Sequence, residues 1–362
     1  MAERANIYYW KCDREDAFHG TADYQKDQSA FLTAVRQALT ERFGDALTDV
    51  VPSCGQGNHR TFEAVLDGQR VFVRTEDGIE KDDYLAVEAA VTDRVAVLGV
   101  PVPRTLAFDC SRKHGFAWQV LPYLPFRDLN VFAKEGTLVW DGIAADIGTA
   151  IARWQDVTAD GFGPFSAAAA LKTGELRALH PTYESYYRLN LEKHLAFLRT
   201  RGFLDATTAA RIVAAVDRRS RCLELAQGVL VHKDLAVWNI LGTETEAKCF
   251  IDWDDCIMGD EMDDLSLMGV TAEGPETRQI VAAYGKCRGL PADAAPRFWL
   301  CWLRNMIFKS VIRVGAGYFR KRDDSFFLIG GGADGNDLES ITRRKIEQAL
   351  VALEKGQDLD AI

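Results

Sequence analysis

The sequence predicts an α+β protein of two lobes, a small antiparallel-sheet lobe followed by a larger helical one. Three observations carry this. Between residues 50 and 75, two runs of β-branched and aromatic residues are joined by the turn dipeptide Asp67-Gly68. After Pro125, five long segments keep apolar residues three and four apart, the period of a helix with one buried face. The length, 362 residues, accommodates two units of about 100–200 residues each.

Residues 1–28 form an N-terminal extension rich in aromatic and charged residues without a clear period, and no element is assigned to them. Ser29 is placed to cap a helix in which Phe31, Leu32, Val35, Leu39 and Phe43 share a face, and Gly44 is placed to end it. The strand runs around VVPSCGQGNHRTFEAVL and RVFVRT come next. A helix is expected from about Asp82 to Leu98, stopped by GVPVP, and the short apolar run FAWQVLPYL suits a buried strand. The small lobe is thus 29–124 and the helical lobe 125–362. The five helical segments are DGIAADIGTAIARWQDV, PTYESYYRLNLEKHLAFLR, ATTAARIVAAVDRRSRCLELA, PRFWLCWLRNMIFKSVIRV and ESITRRKIEQALVALEKG. They are interrupted by a stretch from Val229 to Ser266 in which two short apolar runs enclose polar residues.

Composition narrows the function classes. Hydrophobic residues at 48% and charged residues at 27% belong to a folded globular chain. With 53 acidic against 43 basic residues the net charge is −10, which argues against nucleic acid as a partner, since a phosphate backbone needs a basic face. No apolar run approaches the roughly 18 residues that span a bilayer, so no membrane partner is expected. The start of the sequence does not read as a secretory signal. The eight cysteines are scattered and form no C-x-x-C pair, which speaks against a disulfide framework or a zinc site and for a reduced, cytoplasmic setting. The oligomeric state is left open.

The chemistry concentrates in the interrupting stretch. His232, Asp234 and Asn239 read H-x-D-x-x-x-x-N, and thirteen residues after Asn239 the strand-like KCFIDWDD supplies Asp252. Phosphoryl transfer asks a protein for one carboxylate to orient the attacking hydroxyl and for hard oxygen ligands to hold magnesium on the phosphates. Asp234 suits the first task; Asn239 and Asp252 suit the second. Taken alone, the H-x-D-x-x-x-x-N run also fits a loop whose Asp and Asn cap local backbone amides. The IDW segment at hairpin distance favours the chemical reading.

HKDLAVWNIL followed by FIDWDDCIMGDEMDDLS resembles the signature of the aminoglycoside phosphotransferase and choline kinase superfamily. VRTEDGIEKDDYLAVEAA, VPVPR and DGFGPF look like its hygromycin B phosphotransferase branch. The resemblance implies a protein-kinase-like fold, ATP and Mg2+ as cofactors, Asp234 as the catalytic residue, and Asn239 and Asp252 as metal ligands. It further implies that Asp264 braces the catalytic loop; His232 is read as holding that loop by hydrogen bonds rather than transferring a proton, because Asp234 is the better placed base. In the small lobe it implies a nucleotide loop at Ser53, Gly55, Gly57 and Asn58, whose glycines let backbone N–H groups approach phosphate oxygens. It also implies a phosphate-gripping Arg74 steadied by Glu88, and an adenine hinge whose backbone near Leu121 and Tyr123 flanks Pro122. Three departures stand out: Lys233 in place of a small residue, Val237-Trp238 in place of a small pair, and residues 1–28.

The acceptor is read from charge. From Glu224 to Asp264 there are eleven acidic and two basic residues, a net of −9, a field that would steer a cationic acceptor. Against it, Arg297 to Arg322 holds seven basic residues and no acidic one, with Lys309, Arg313 and Arg320 on a face that could meet an anionic substrate, the ATP side of the cleft, or only solvent. Trp299 and Trp302, at helical spacing, read as core. The expected function is an ATP- and Mg2+-dependent O-phosphotransferase acting on a hydroxyl of a sugar, aminocyclitol or aminoglycoside-like compound, with antibiotic inactivation as one setting. The alternatives are a metabolic kinase for choline, homoserine or a thio-sugar and, from another class, a catalytically silent nucleotide-binding regulator. A protein kinase fits less well, because the metal segment reads Asp-Trp-Asp instead of Asp-Phe-Gly and no Ala-Pro-Glu segment comes after it.

Overall fold

The structure, a computed structural model, describes residues 4–13, 28–53, 59–78, 81–272, 274–320 and 338–362. Its first layer is an antiparallel sheet of β1 (Leu47–Pro52), β2 (Arg60–Leu66), β3 (Gln69–Glu76), β4 (Ala107–Asp109) and β5 (Ala117–Pro122) in the order β1-β2-β3-β5-β4. The β2–β3 hairpin closes on the two residues read from sequence: Asp67 and Gly68 both have positive φ, and Leu66 faces Gln69, the geometry of a two-residue turn that matches strand twist. The helix Gln28–Phe43 begins one residue ahead of Ser29 and stops where Gly44 turns to φ +57°. It lays Val35, Ala38 and Leu39 on the sheet residues Val50, Phe62, Ala64, Val71, Val73, Trp118 and Val120.

The helix Tyr84–Val97 belongs to a different core. Val87, Val91 and Val95 pack with the helical part of the chain, while Glu88 on the same helix turns back toward β3. It therefore bridges the sheet to the helical lobe.

Two small sheets lie inside the helical region. One is formed by β6 (Arg127–Asp128), β10 (Ile240–Gly242) and β11 (Ala247–Phe250); the other has the order β8 (Ala178–His180), β7 (Phe162–Phe165), β12 (Ile257–Gly259), β9 (Val229–Val231). They account for the interruption seen in sequence: β9 delivers His232, and the β10–β11 hairpin separates Asn239 from Asp252. Around them stand the helices Trp140–Trp154, Leu191–Thr200, Ala206–Arg218, Asp263–Thr271, Gly274–Arg288, Ala294–Gly315 and Leu338–Lys355. The segment read as one helix over 181–199 is two, Tyr183–Tyr187 and Leu191–Thr200, because Asn190 adopts φ +56° between them. The helix Gly274–Arg288 is an addition to those expected from periodicity. It packs so closely on Trp140–Trp154 that a Cβ on Gly148 would stand 2.5 Å from the Ile280 carbonyl oxygen; only glycine fits there. Trp299 and Trp302 are buried, as their spacing suggests, and their indole N–H groups donate to the carbonyls of Asp358 and Lys345.

Tyr8, Tyr9 and Cys12, from the N-terminal segment that carries no readable period, are buried in this helical core. The seven described cysteines carry free thiols. Among the described residues no helix is long and apolar enough to cross a membrane.

Candidate active site

The strand-to-loop passage after β9 is held by a single carboxylate. Asp264, at the start of the helix Asp263–Thr271, accepts the backbone N–H of His232 at 2.8 Å, that of Lys233 at 3.1 Å and the Trp154 indole at 3.2 Å. Burial pushes its pKa up to about 7, against the pull of the two backbone N–H groups. Those N–H groups need a fixed acceptor because Lys233 takes φ +69°, a conformation that persists only where the surroundings impose it. His232 is buried and held at both ring nitrogens: Nε2 lies 2.9 Å from the Ile251 carbonyl oxygen, and Nδ1 is approached by the Asp234 backbone N–H at 3.4 Å. Burial lowers its pKa and favours the neutral ring.

Asp234 leaves this turn with its carboxylate gripped from two sides. Asn239 Nδ2 donates to the Asp234 carbonyl at 2.8 Å and to its Oδ2 at 3.2 Å, and Lys309 Nζ lies 2.6 Å from Oδ1. The Ile251 N–H donates to the Asn239 carbonyl at 3.0 Å, which sets Asn239 beside the residue preceding Asp252. Asp252 itself has φ +66°.

The lobes meet at Asp252. Arg74 on β3 is ion-paired with Glu88 and reaches Asp252 Oδ1 with Nη1 at 3.1 Å; Glu88 Oε1 in turn accepts the Trp253 N–H at 3.3 Å. The Arg74 side chain is 7% exposed and that of Asp252 38%, so the carboxylate, not the guanidinium, opens on the cleft. Desolvation and the neighbouring carboxylates Asp254, Glu88 and Asp234 push the Asp252 carboxyl well above the usual range, while Arg74 opposes them. Asp254 goes the other way: burial would raise it, but His59 at 3.2 Å, Arg74 and Arg4 hold it well below. Asp252 is thus a carboxylate among carboxylates with one cationic contact, and the Asn239 amide nitrogen is turned to Asp234, leaving its oxygen as a donor. An oxygen-only pair of this kind fits a hard divalent cation such as Mg2+.

Of the other residues singled out in sequence, Ser53 donates its N–H to Thr61 O at 2.9 Å at the mouth of the β1–β2 hairpin; Gly55, Gly57 and Asn58 lie outside the described residues. Leu121 is still within the sheet, opposite Phe72, and β5 ends at Pro122. Tyr123, just beyond, lies beneath the Arg70 guanidinium, 3.8 Å from its ring centroid.

Sequence reasoning left four contacts unseen: Lys309 on Asp234, His59 on Asp254, Arg4 on Asp82 at 2.7 Å, and Lys233 on the N-terminal segment. The Lys233 ammonium, fully buried, donates to Tyr8 Oη, Asp263 Oδ2 and Asn305 Oδ1. That ring of acceptors accounts for a lysine where a small residue was expected. Only the charge pattern of 297–322 pointed toward Lys309.

Residues 51–299 match the family model described as the phosphotransferase enzyme family, APH. No curated protein sequence matches. Among solved structures, the aminoglycoside phosphotransferase APH(4)-Ia superposes with a TM-score of 0.60 at 18% identity, over 88% of this chain and 98% of that one. A thermostable mutant of APH(4)-Ia in ternary complex with ADP and hygromycin B gives 0.61 at 16% identity over the same shares. The macrolide 2'-phosphotransferase MphH from Brachybacterium faecium gives 0.55 at 19% identity, over 90% and 98%. At such identities the likeness is one of fold, the two-lobed protein-kinase-like fold.

Proposed function

This chain belongs to the phosphotransferase enzyme family, and on that premise we propose that it is an ATP- and Mg2+-dependent O-phosphotransferase acting on a hydroxyl of a small sugar- or aminocyclitol-like acceptor. The observation that supports this most is the convergence of Asp234, Asn239, Asp252 and the Arg74–Glu88 pair on one cleft between sheet and helices. The nucleotide complex of the APH(4)-Ia mutant is in keeping with it.

In this reading Asp234 orients the acceptor hydroxyl and takes its proton. The acceptor oxygen forms a bond to the γ-phosphorus as the bond from that phosphorus to the β–γ bridging oxygen breaks, releasing ADP. Asn239 performs two tasks, fixing the Asp234 carboxylate with its nitrogen and offering its oxygen, with Asp252, to the metal. A bound Mg2+ supplies charge neutralisation and in-line positioning of the phosphates. Arg74 carries a fixed positive charge to the phosphates, and Glu88 keeps that buried guanidinium from being uncompensated. His232 and Asp264 hold the loop and touch no reacting atom.

The test is ADP release with phosphate tracked by 31P NMR, across sugars, aminocyclitols, aminoglycosides, choline and homoserine. Acceptor-stimulated release with a new phosphate ester supports the reading. Tight ATP binding with no stimulation by any compound would favour the silent regulator.

A further inference from the structure

Most of the buried carboxylates behind the negative field that in sequence points to a cationic acceptor have partners within the fold. Asp254 faces His59, Asp255 lies 3.8 Å from Arg4, Asp260 is held by both Nε and Nη2 of Arg297, Asp263 binds Lys233, and Asp264 takes two backbone N–H groups. Glu224, Glu244 and Glu246 are exposed. What stands against the base is a cation, Lys309, 2.6 Å from Asp234 and itself over the rings of Tyr9 and Phe308.

The same helix offers a second cation. Of its basic residues, Arg297 is committed to Asp260, and Arg304 to the carbonyls of Tyr187 and Leu189 and to His194 Nδ1. Arg313 lies one turn beyond Lys309, so the two side chains share a face. Its guanidinium donates to Thr342 Oγ1 at 2.7 Å, and no ion pair ties it to a carboxylate among the described residues. Burial alone lowers its pKa to about 10. A guanidinium held only by a neutral hydroxyl among the described residues is stabilised when an anion approaches.

We infer that Lys309 and Arg313 form an anion-reading arm beside Asp234, and that the acceptor is a hydroxyl compound bearing a carboxylate or phosphate a few atoms from the hydroxyl that is phosphorylated. The inference rests on the phosphotransferase reading above. It also gives the Lys309–Asp234 pair a purpose. The anionic group of the acceptor replaces Asp234 as the partner of Lys309 and frees Oδ1 for the hydroxyl, whereas a neutral or cationic acceptor offers Lys309 no anion in exchange.

The experiment compares three skeletons, hexose, inositol and glycerol, each in neutral, amino, carboxylate and phosphate forms, for wild type, Lys309→Gln, Lys309→Arg and Arg313→Gln. The inference expects kcat/KM for the acidic forms to exceed that of their neutral parents by about tenfold or more, the value of one charged hydrogen bond. It expects Lys309→Gln and Arg313→Gln to narrow that gap through KM, and Lys309→Arg to preserve it. Neutral or amino forms equal to the acidic ones would overturn it. So would a Lys309→Gln variant that lowers kcat equally for every form, which would assign the lysine to the phosphoryl group. If no compound is phosphorylated while Asp234→Asn abolishes background ATP hydrolysis, the inference fails and the phosphotransferase reading stands. If Asp234→Asn leaves that hydrolysis unchanged, both fail.

Discussion

Tyr8 accepts a hydrogen bond from the Lys233 ammonium at 3.1 Å, joining the beginning of the chain to the residue before Asp234 across 225 positions. The tyrosine is stacked on Tyr186 with ring centroids 4.8 Å apart, and its hydroxyl is pushed up to about 12 by burial, so it is neutral at any working pH. Through this contact the segment 4–13 becomes part of the support of the turn that carries Lys233 and Asp234.

Tyr8→Phe is expected to cost about 1–3 kcal/mol, because it leaves a buried ammonium with one acceptor fewer. At about 1–2 °C per kcal/mol for a protein of this size, a thermal melt will register it. Since Asp263 and Asn305 still hold Lys233, kcat should fall less than about tenfold, the worth of one hydrogen bond. An unchanged melting temperature would show that the contact carries no weight.

The same segment gives stability a pH dependence. His194 is buried, with Nε2 2.8 Å from Asp13 Oδ1, Cys12 Sγ 3.5 Å away, and Nδ1 accepting from Arg304 at 3.0 Å. Burial lowers its pKa below 6.5, and Arg304 and Lys193 act the same way, with Asp13 opposing. The unfolded chain therefore binds more protons than the folded one just below pH 6.5, and stability falls as pH drops through that window. His232 contributes with the same sign. Hydrogen-exchange protection factors of residues 4–13 should fall between about pH 6.5 and 5 in the wild type and less so in His194→Gln. An identical fall in both would remove His194 from the explanation.

Arg74→Lys keeps the charge but loses the planar fork that reaches Glu88 and Asp252 together. The expected result is a KM for ATP raised about tenfold or more with kcat less affected. Arg74→Met should do worse, because Glu88 is then left buried without its partner. Steady-state kinetics at saturating acceptor separates the two parameters, and an ATP KM unchanged in both variants would contradict the role given to Arg74.

If Asp252 and Asn239 hold the cation as proposed, Asp252→Asn and Asn239→Ala should weaken binding of Mg2+–ATP by about tenfold or more while leaving metal-free ATP nearly untouched. Calorimetric titrations with and without Mg2+ make the comparison. Equal losses under both conditions would mean that the two side chains do not serve a metal.

Local chemistry made much of the architecture readable. The Asp67-Gly68 turn, the stop at Gly44 and the buried run of β5 depend on residues close in sequence. So does the spacing of His232, Asp234, Asn239 and Asp252, because a single hairpin, β10–β11, carries Asn239 to Asp252. What escaped is long-range. Asn190 breaks a helix that periodicity continues, and Gly274–Arg288 is a helix because it packs on Trp140–Trp154, with weak periodicity of its own. Net charge hid the most: the acidic stretch has partners in Arg4, His59 and Arg297, which come from distant parts of the chain. The contact of Lys309 with Asp234 spans 75 residues, and the helical spacing of basic residues could only mark its face.

The central claim is that Asp234 is the base of a phosphoryl transfer. The most direct measurement is a single turnover of Asp234→Asn at saturating ATP, Mg2+ and acceptor, beside ATP affinity for the same protein. The account predicts a phosphoryl-transfer rate lower by about 10²–10⁴, the contribution of a positioned general base, with ATP affinity within about threefold of wild type. Transfer at the wild-type rate with intact ATP binding would contradict it.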